Sequence, residues 1–480
     1  MTARDGIAGA PASVPAAVVA DLIARARAAQ RAIDGWTQAE IDELVAAAGW
    51  AIVDPPHNRA LAERAVADTG LGNVADKIAK NRRKTMGLLR DLRGAKSVGV
   101  ILDDPERGLI EIARPVGVVA AITPSTNPAA TPANNIINAL KGRNAIVLAP
   151  SPKGAGTLAL LLEYMHSGFD RVGAPRDLVQ TLPAPVSRPL TLELMRQADL
   201  VVATGSQTNV RAAYSSGTPA IGVGPGNVTV IVDETADVAD AAAKIARSKI
   251  FDNATSCSSE NSVIAVEAVA DALLAAFARE GGKLLDDEET RRLAAEMFPD
   301  GRLAAVVIAQ SAAKIAAHAG LVRPDLDDAR FLIVEARGVG TEHPFSGEKL
   351  SPVLAFYRVA DFAAAAELAD RILRYQGAGH SIGLHSREPA RATALGHALP
   401  VCRVIVNQAH CFATGGSYDN ALPFSLSMGC GSWGRNGISD NLNYRHFLNI
   451  TRIVHPLAAA HVREPTEDEL FGEYRRRHNV

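Results

Sequence analysis

Short apolar runs rich in β-branched residues alternate with helical stretches across the middle of the first half of the chain. The runs are VGVVAAI (116–122), NAIVLAP (144–150), DLVQTL (177–182), DLVVATG (199–205) and VTVIV (228–232). Strands that are apolar throughout and separated by helices are typical of a parallel sheet covered on both faces. The pattern therefore predicts an α/β fold whose ligands bind beyond the carboxyl ends of the strands.

Other segments predict the elements that flank this sheet. Residues 17–52 carry apolar side chains at helical spacing, and a further helical stretch continues to residue 92. The segment SVGVILDDPERGLIEIARP (97–115) predicts a hairpin of two strands with Asp-Asp-Pro at the turn. Strand and helix patterns alternate again from Asp233 to about residue 406, which predicts a second α/β unit.

Charge and hydropathy exclude several classes of partner. The 480 residues have a formal net charge of -2, so the charge does not favour nucleic acid or an anionic membrane surface as a partner. No apolar segment is long enough to span a bilayer. The N-terminal stretch MTARDGIAGAPASVPAAVV contains Asp5 and no continuous apolar core, and is predicted to be neither a signal peptide nor an anchor.

The cysteines indicate reduced thiols and a cytoplasmic protein. They form no C-x-x-C pair and no regular framework, and they are Cys257, Cys402, Cys411 and Cys430. A zinc site could combine the last three with His410, but the ligand spacing differs from that of common structural sites. We therefore predict no metal.

The segment FDNATSCSSENSV (251–263) sets a single cysteine, Cys257, among small polar residues. A free cysteine is often packed as a small hydrophobic side chain. A thiol in a polar loop between a helix and a strand can instead be exposed and ionised, and the thiolate is a nucleophile. The segment alone leaves packing and reaction as equal alternatives.

Three loops follow predicted strands, and each also has an ordinary structural interpretation. TPSTNP (123–128) caps a helix, or presents Asn127 to a developing oxyanion. TGS (204–206) opens a helix whose free N–H groups could take a phosphate, although no G-x-G-x-x-G is present. IGVGPGN (221–227) is a flexible glycine-rich turn. His380 is by default a structural histidine.

Several long segments, in order from about residue 115 to 450, together resemble the coenzyme A-acylating branch of the aldehyde dehydrogenase superfamily. This branch includes the aldehyde dehydrogenase half of bifunctional aldehyde/alcohol dehydrogenases. The segments are PVGVVAAITPSTNPAATPANNIINALKGRNAIVLAPSP, AAYSSGTPAIGVGPGNVTVIVDETADV, SKIFDNATSCSSENSVI, EKLSPVLAFYRVADF and GCGSWGRNGISDNLNYRHFLNI.

The resemblance implies an aldehyde dehydrogenase-like fold with two parallel-sheet α/β domains plus a small oligomerisation hairpin and tail. A nicotinamide dinucleotide-binding domain would occupy residues 1–233, with the hairpin projecting at about 97–115. A catalytic domain with the nucleophilic cysteine would occupy 234–425. The segment 426–480 would pack back and contribute to a homodimer or homotetramer.

The resemblance also implies residue roles. Cys257 would add to an aldehyde, and the adduct would lose hydride to a nicotinamide ring and become a thioester. Asn127 and the main-chain N–H of Cys257 would hold the oxyanion, and Glu348 would contact the nicotinamide ribose. The other residues expected around the cofactor are Thr123, Pro124, Ser125, Ser151, Lys153, Gly205, Ser206, Gly222, Val223 and Gly224.

Two departures from hydrolytic relatives refine the expected reaction. Those relatives carry a glutamate where Val223 stands, and a valine cannot take a proton from water. We therefore expect the acyl group to pass from Cys257 to coenzyme A. The hydrolytic relatives also have an acid after the second strand, whereas this chain has Ser151 and Lys153, which favours NADP slightly over NAD.

The predicted substrate is sulfoacetaldehyde, which would become sulfoacetyl-CoA reversibly. The tail GGSYDNALPFSLSMGCGSWGRNGISDNLNYRHFLNITRI is similar to that of acylating sulfoacetaldehyde dehydrogenases. Arg435 would be a fitting partner for a sulfonate, with His380, His410 and Arg445 as further candidates. Acetaldehyde or another short aldehyde is the alternative substrate.

Three other functions stay open at this point. A hydrolytic dehydrogenase would form the free acid with another base, such as His380. A nucleotide-binding scaffold would use the hairpin and tail for assembly and perform no chemistry. A cysteine hydrolase would need a histidine beside Cys257, and no motif near that residue supplies one.

Overall fold

The computed structural model describes residues 14–458 and 462–480. Most of the N-terminal stretch discussed above lies outside these residues. The described chain begins with the helices α1 (Val14–Ala32), α2 (Gln38–Val53), α3 (Pro55–Thr69) and α4 (Val74–Leu92). Thr37 and Glu40 form a capping box at the start of α2, and Pro55 occupies the first position of α3. The helices predicted between residues 17 and 92 are confirmed.

A hairpin follows α4, as predicted. Its strands β1 (Gly99–Asp104) and β2 (Leu109–Pro115) pair antiparallel around the Asp-Asp-Pro turn. A strand from the C-terminal tail, β15 (Leu448–Val454), pairs antiparallel with β2. The hairpin and the tail therefore form one three-stranded sheet in the order β1-β2-β15.

The first parallel sheet has five strands in the order β5-β4-β3-β6-β7. They are β3 (Val118–Thr123), β4 (Ala145–Pro150), β5 (Val179–Thr181), β6 (Leu200–Ala203) and β7 (Ala220–Gly222). The helices between them are α5 (Ala130–Lys141), α6 (Ala155–Val172), α7 (Arg188–Gln197) and α8 (Gln207–Tyr214). The sequence predicted only a turn where β7 lies. Three residues are too few to show the alternation of side chains that marks a strand.

The second parallel sheet has seven strands in the order β10-β11-β12-β9-β8-β13-β14. They are β8 (Val228–Val232), β9 (Glu260–Val266), β10 (Gly282–Leu284), β11 (Phe331–Glu335), β12 (Val353–Val359), β13 (Ile382–His385) and β14 (Val404–Val406). The accompanying helices are α9 (Val238–Ile250), α10 (Glu267–Arg279), α11 (Asp287–Met297), α12 (Ala312–His318), α13 (Phe362–Tyr375), α14 (Pro389–Ala398) and α15 (His410–Ala413).

Strand β8 corrects the predicted domain boundary. The sequence placed it in the first unit and ended that unit at residue 233. The strand pairs with β9 and β13 in the second sheet, because its apolar residues are buried between the layers of that sheet. The chain therefore changes sheets between β7 and β8, in the glycine-rich turn that separates them.

Buried aliphatic side chains fill separate cores around the two parallel sheets. One core packs the N-terminal helices against the five-stranded sheet, and two others cover opposite faces of the seven-stranded sheet. The tail ends in a highly charged helix, α16 (Glu467–His478). Across residues 14–458 and 462–480, none of the helices combines the length and the apolarity that crossing a membrane requires. The predicted α/β architecture with two parallel sheets is confirmed.

Candidate active site

A cleft of about 820 Å³ lies between the loops of the two parallel sheets. It is lined by the segments that follow β3, β4, β6 and β7 and by the loop that carries Cys257. This is the carboxyl edge of the five-stranded sheet, where ligands of such sheets bind. The predicted residues that meet there are Thr123, Pro124, Ser125, Asn127, Ser151, Lys153, Gly205, Ser206, Val223, Gly224, Cys257 and Glu348.

The loop before Cys257 has an unusual backbone. Asp252, Asn253 and Ala254 adopt positive φ angles of 50°, 51° and 58° in succession. A non-glycine residue rarely takes this conformation, and surrounding contacts must hold it in place. The segment between α9 and β9 is therefore fixed by its neighbours rather than by its own preference.

Helix α4 supplies the contacts that hold this loop. The buried carboxylate of Asp252 accepts hydrogen bonds from Lys77 Nζ at 3.1 Å and Lys80 Nζ at 2.5 Å. Its other oxygen accepts from the main-chain N–H of Asn73 at 2.9 Å, and the N–H of Asp252 donates to Asp76 at 2.7 Å. Removing one partner of such a buried ion pair is strongly destabilising. The N-terminal half of α4 thus positions the nucleophile loop.

Asn127 lies across the cleft from this loop and has one end of its amide engaged. Its side-chain oxygen accepts a hydrogen bond from Lys80 Nζ at 2.8 Å. An ammonium group only donates, so the atom that faces it is the oxygen. The NH₂ group of Asn127 therefore remains as a donor for an oxygen atom in the cleft.

The thiol of Cys257 is half-buried and protonated at neutral pH. Burial raises its pKa to about 12, and the Glu348 carboxyl adds to this shift. Burial also raises the pKa of Glu348 to about 8. Two groups that oppose each other's ionisation thus share the cleft, as expected where protons move during a reaction.

The far end of the cleft suits a nicotinamide dinucleotide. Gly205 has a φ of +143°, which leaves the backbone open just before α8 begins at Gln207. The free N–H groups of a helix start favour a phosphate. Ser151 and the exposed Lys153 stand on the neighbouring loop, and Leu192 gives the wall an apolar surface. The volume and the donor set therefore fit this group.

Several predicted site residues lie outside the cleft. Gly222 contacts Tyr214, whose hydroxyl accepts from its N–H at 2.9 Å. Arg435 is exposed and does not line the cleft. His380 and His410 are buried behind it, where Ser381 and Thr414 bond their rings. Arg445 is also exposed and does not line the cleft, so the suggested contacts of these four residues with substrate stay predictions.

The structure also rejects His380 as an alternative base. It is fully buried, and burial lowers the pKa of its ring well below the usual value. Among the described residues that line the cleft there is no histidine, and Glu348 is the one carboxyl group. In the described part of the chain, no group of three or more His, Cys, Asp or Glu side chains is arranged to hold a metal ion.

Sequence reasoning missed the residues that α4 and the tail contribute to the site. Lys80 holds Asn127, while Lys84, Cys411 and Ser425 line the cleft itself. The run KNRRK (80–84) was a usable signal, since all four of its cations lie on α4 and two of them, Lys80 and Lys84, are buried. Its distance of more than 170 residues from Cys257 concealed the connection.

Comparison with known proteins yields consistent matches. The model of the aldehyde dehydrogenase family matches residues 4–297. The chain is 62% identical to an acylating sulfoacetaldehyde dehydrogenase of Cupriavidus necator, over 97% of this chain and 94% of that one. It is 42% identical to the corresponding enzyme of Bilophila wadsworthia, over 95% and 98%. A solved acetylating aldehyde dehydrogenase from Geobacillus thermoglucosidasius superimposes with a TM-score of 0.89 at 38% identity, over 94% and 98%.

Proposed function

This chain belongs to the aldehyde dehydrogenase family, and we propose that it is a coenzyme A-acylating enzyme that converts sulfoacetaldehyde and coenzyme A to sulfoacetyl-CoA. One observation carries the proposal. Cys257 and Val223 line the same cleft. Val223 stands where hydrolytic relatives carry the glutamate that activates water. The thioester on Cys257 therefore persists until the thiol of coenzyme A attacks it.

The chain's own residues account for the first half of the reaction. The sulfur of Cys257 adds to the aldehyde carbon, its proton passes to the Glu348 carboxylate, and the carbonyl oxygen becomes an oxyanion. The NH₂ group of Asn127 and the main-chain N–H of Cys257 stabilise that oxygen. Bound NAD(P)⁺ supplies the hydride acceptor that converts the thiohemiacetal to a thioester.

Deacylation distinguishes this reaction from hydrolysis. The thiol of coenzyme A attacks the thioester carbon, the bond to Cys257 Sγ breaks, and the acyl group leaves on the new sulfur. Glu348 is placed to exchange the thiol proton, since it is the one carboxyl among the described lining residues and its pKa is raised to about 8 by burial. A glutamate at the position of Val223 would activate water, and valine offers no such base.

The cofactor is NAD or NADP, with a modest preference for NADP. The loop after β4 presents Ser151 and Lys153 and no acid, so a phosphate on the adenosine ribose meets a positive charge. The helix start after Gly205 would hold the pyrophosphate. Glu348 is expected at the nicotinamide end of the cleft, near Cys257.

The choice of sulfoacetaldehyde is supported by two relatives of that activity that match almost the whole chain. Acetaldehyde and other short neutral aldehydes would be poorer substrates of the same reaction. The four free cysteines favour a reducing compartment, and we infer a cytoplasmic location. The three-stranded sheet, with Ile453 and Val454 exposed on β15, is expected to join subunits into a dimer or tetramer.

The decisive experiment measures NAD(P)H formation from sulfoacetaldehyde with and without coenzyme A. We expect steady turnover only when coenzyme A is present, and a mass increase of one acyl group on the Cys257 peptide when it is omitted. Cys257→Ala should abolish both signals, whereas Cys411→Ala, which removes another thiol of the same cleft, should keep the adduct. Steady NAD(P)H formation without coenzyme A would contradict the proposal.

A further inference from the structure

We propose that Arg83 and Lys84 of helix α4 bind the anionic tail of the aldehyde and so determine substrate specificity. This inference rests on the proposed function, because it concerns the aldehyde that reacts at Cys257. It replaces the surface residue Arg435, which the sequence suggested for this role. The recognised chemistry is a short aldehyde that carries a sulfonate at its far end.

A small cavity adjoins the cleft and is lined by Ser256, the residue before the nucleophile. It shares Asn127, Ser256 and Lys84 with the main cleft. Its volume is about 30 Å³, which is room for about two water-sized groups and suits a compact sulfonate. Its lining residues are Lys80, Arg83, Lys84, Asn127, Phe251, Ser256, Cys411, Phe412 and Leu426.

A larger pocket of about 730 Å³ borders this cavity. The two share Arg83, Phe251 and Phe412. The outer pocket also presents Arg82 and Arg247, which are exposed. These shared walls indicate a second route from solvent toward the nucleophile loop, and Ser151, Lys153, Gly205 and Ser206 line neither cavity.

Four basic residues lie at different depths along this route. Arg82 and Arg247 stand at the mouth, Arg83 is half-buried, and Lys84 is buried with 7% of its surface exposed. In the described part of the chain, none of these four has a carboxylate oxygen within 4.0 Å. Asp76 also lines the outer pocket, and the Asp419 carboxylate attracts Arg83 and Arg247 from a greater distance. Lys80 differs, because Asp252 neutralises it. The route thus favours anions over neutral or cationic molecules.

Lys84 and Arg83 retain donors for a ligand. The ammonium of Lys84 donates to the carbonyl oxygens of Gly415 at 2.6 Å and Ser425 at 3.3 Å, which uses two of its three N–H groups. One guanidinium nitrogen of Arg83, Nη2, donates to the Phe412 carbonyl at 2.7 Å and to Ser417 Oγ at 3.0 Å. These neutral acceptors fix both heads and bring no negative charge.

Energetics favour an anionic occupant. Burial and the neighbouring Arg83 lower the pKa of Lys84 to about 7, and a bound sulfonate would favour its charged form. Arg83 is further held over the Phe412 ring, with 5.2 Å from its guanidinium carbon to the ring centroid. A sulfonate oxygen set can accept from the guanidinium and the ammonium together. Ser256 adjoins Cys257, so the tail of a two-carbon aldehyde bound to the sulfur is within reach of this cavity.

The test compares kcat/KM for sulfoacetaldehyde and for propionaldehyde, a neutral aldehyde of similar reach. In Arg83→Gln we expect the ratio of the two values to fall about 10- to 100-fold, the loss typical of a charge-assisted hydrogen bond. Lys84→Met should lower it similarly. Arg435→Gln, which removes an exposed cation outside both cavities, should leave the ratio as it is in the wild type. Equal losses for both aldehydes, or a fall in Arg435→Gln alone, would overturn the proposal.

A binding measurement keeps the test independent of turnover and of the folding of Lys84→Met. Isethionate, a stable two-carbon sulfonate, should compete with propionaldehyde, and its inhibition constant should rise at least tenfold in Arg83→Gln. An unchanged constant would contradict the assignment. Failure of the proposed function looks different, because the wild type would then show no coenzyme A-dependent oxidation of either aldehyde.

Discussion

The backbone of Gly226 lies against the backbone of Cys257 without room for a side chain between them. A Cβ placed on Gly226 would be 2.1 Å from the carbonyl oxygen of Cys257 and 2.6 Å from its Cβ. Neither of these atoms belongs to a flexible side chain that could move aside. The glycine-rich turn after β7 is therefore shaped by its contact with the nucleophile loop.

Gly226→Ala should displace that loop and lower both activity and stability. We expect a loss of about 1–3 kcal/mol in the free energy of unfolding, as for other overpacked sites, and a larger relative fall in kcat. Thermal melts and steady-state rates measure the two effects. Gly437→Ala is the matched control, because the nearest atom to its added Cβ is 3.7 Å away. Equal behaviour of the two variants would contradict the steric argument.

Lys80 should act on catalysis through Asn127. Lys80→Met removes the donor that holds the amide oxygen at 2.8 Å, so the NH₂ group loses its fixed direction toward the cleft. Loss of an oxyanion donor typically lowers kcat about 10²- to 10³-fold, and we expect the lower end of this range with KM little changed. Lys80→Arg should recover part of kcat.

Lys77→Met separates this effect from damage to the nucleophile loop. Lys77 also binds Asp252, at 3.1 Å, but donates to the backbone of Thr126 rather than to the Asn127 amide. It should therefore destabilise the protein with a much smaller loss of kcat. If both variants lowered kcat equally, Lys80 would act only through Asp252.

Val223→Glu should introduce hydrolysis. The buried side chain at this position lines the cleft beside Cys257, and a carboxylate there can take a proton from water. We expect NAD(P)H formation without coenzyme A to increase at least about tenfold. Val223→Gln has nearly the same size and no basic group, so it should show no such gain. Comparable gains in both variants would show that space, and not a base, had limited the attack of water.

The sequence predicted the parallel sheets and the nucleophile loop because their signals are local. The apolar strands β3, β4 and β6 and the polar segment around Cys257 can each be recognised within about ten residues. Resemblance then assigned roles to Asn127 and Val223, and both line the cleft with Cys257.

Contacts between distant segments could not be predicted in the same way. Lys80 and Lys84 belong to a helix that reads as an ordinary amphipathic element, and their roles depend on Asp252 and Ser425 far along the chain. The position of Arg435 outside the cleft could not be predicted for a related reason. Its permanent charge made Arg435 a good candidate to bind a sulfonate. Arg435 instead has a φ of 56° and lies in an exposed turn.

Glu348 should control how easily Cys257 ionises. Burial raises the pKa of the Cys257 thiol to about 12, so the thiolate fraction should grow about tenfold per pH unit from pH 7 to 10. Alkylation of the Cys257 peptide by iodoacetamide should follow this rise without a plateau.

Burial raises the pKa of Glu348 to about 8, so its carboxylate opposes the thiolate only above that pH. Glu348→Gln should therefore speed alkylation at pH 9–10 and have little effect below pH 7, whereas Glu342→Gln, which changes an exposed glutamate, should do neither. A plateau near pH 9 in the unmodified enzyme would mean that burial does not suppress the thiolate.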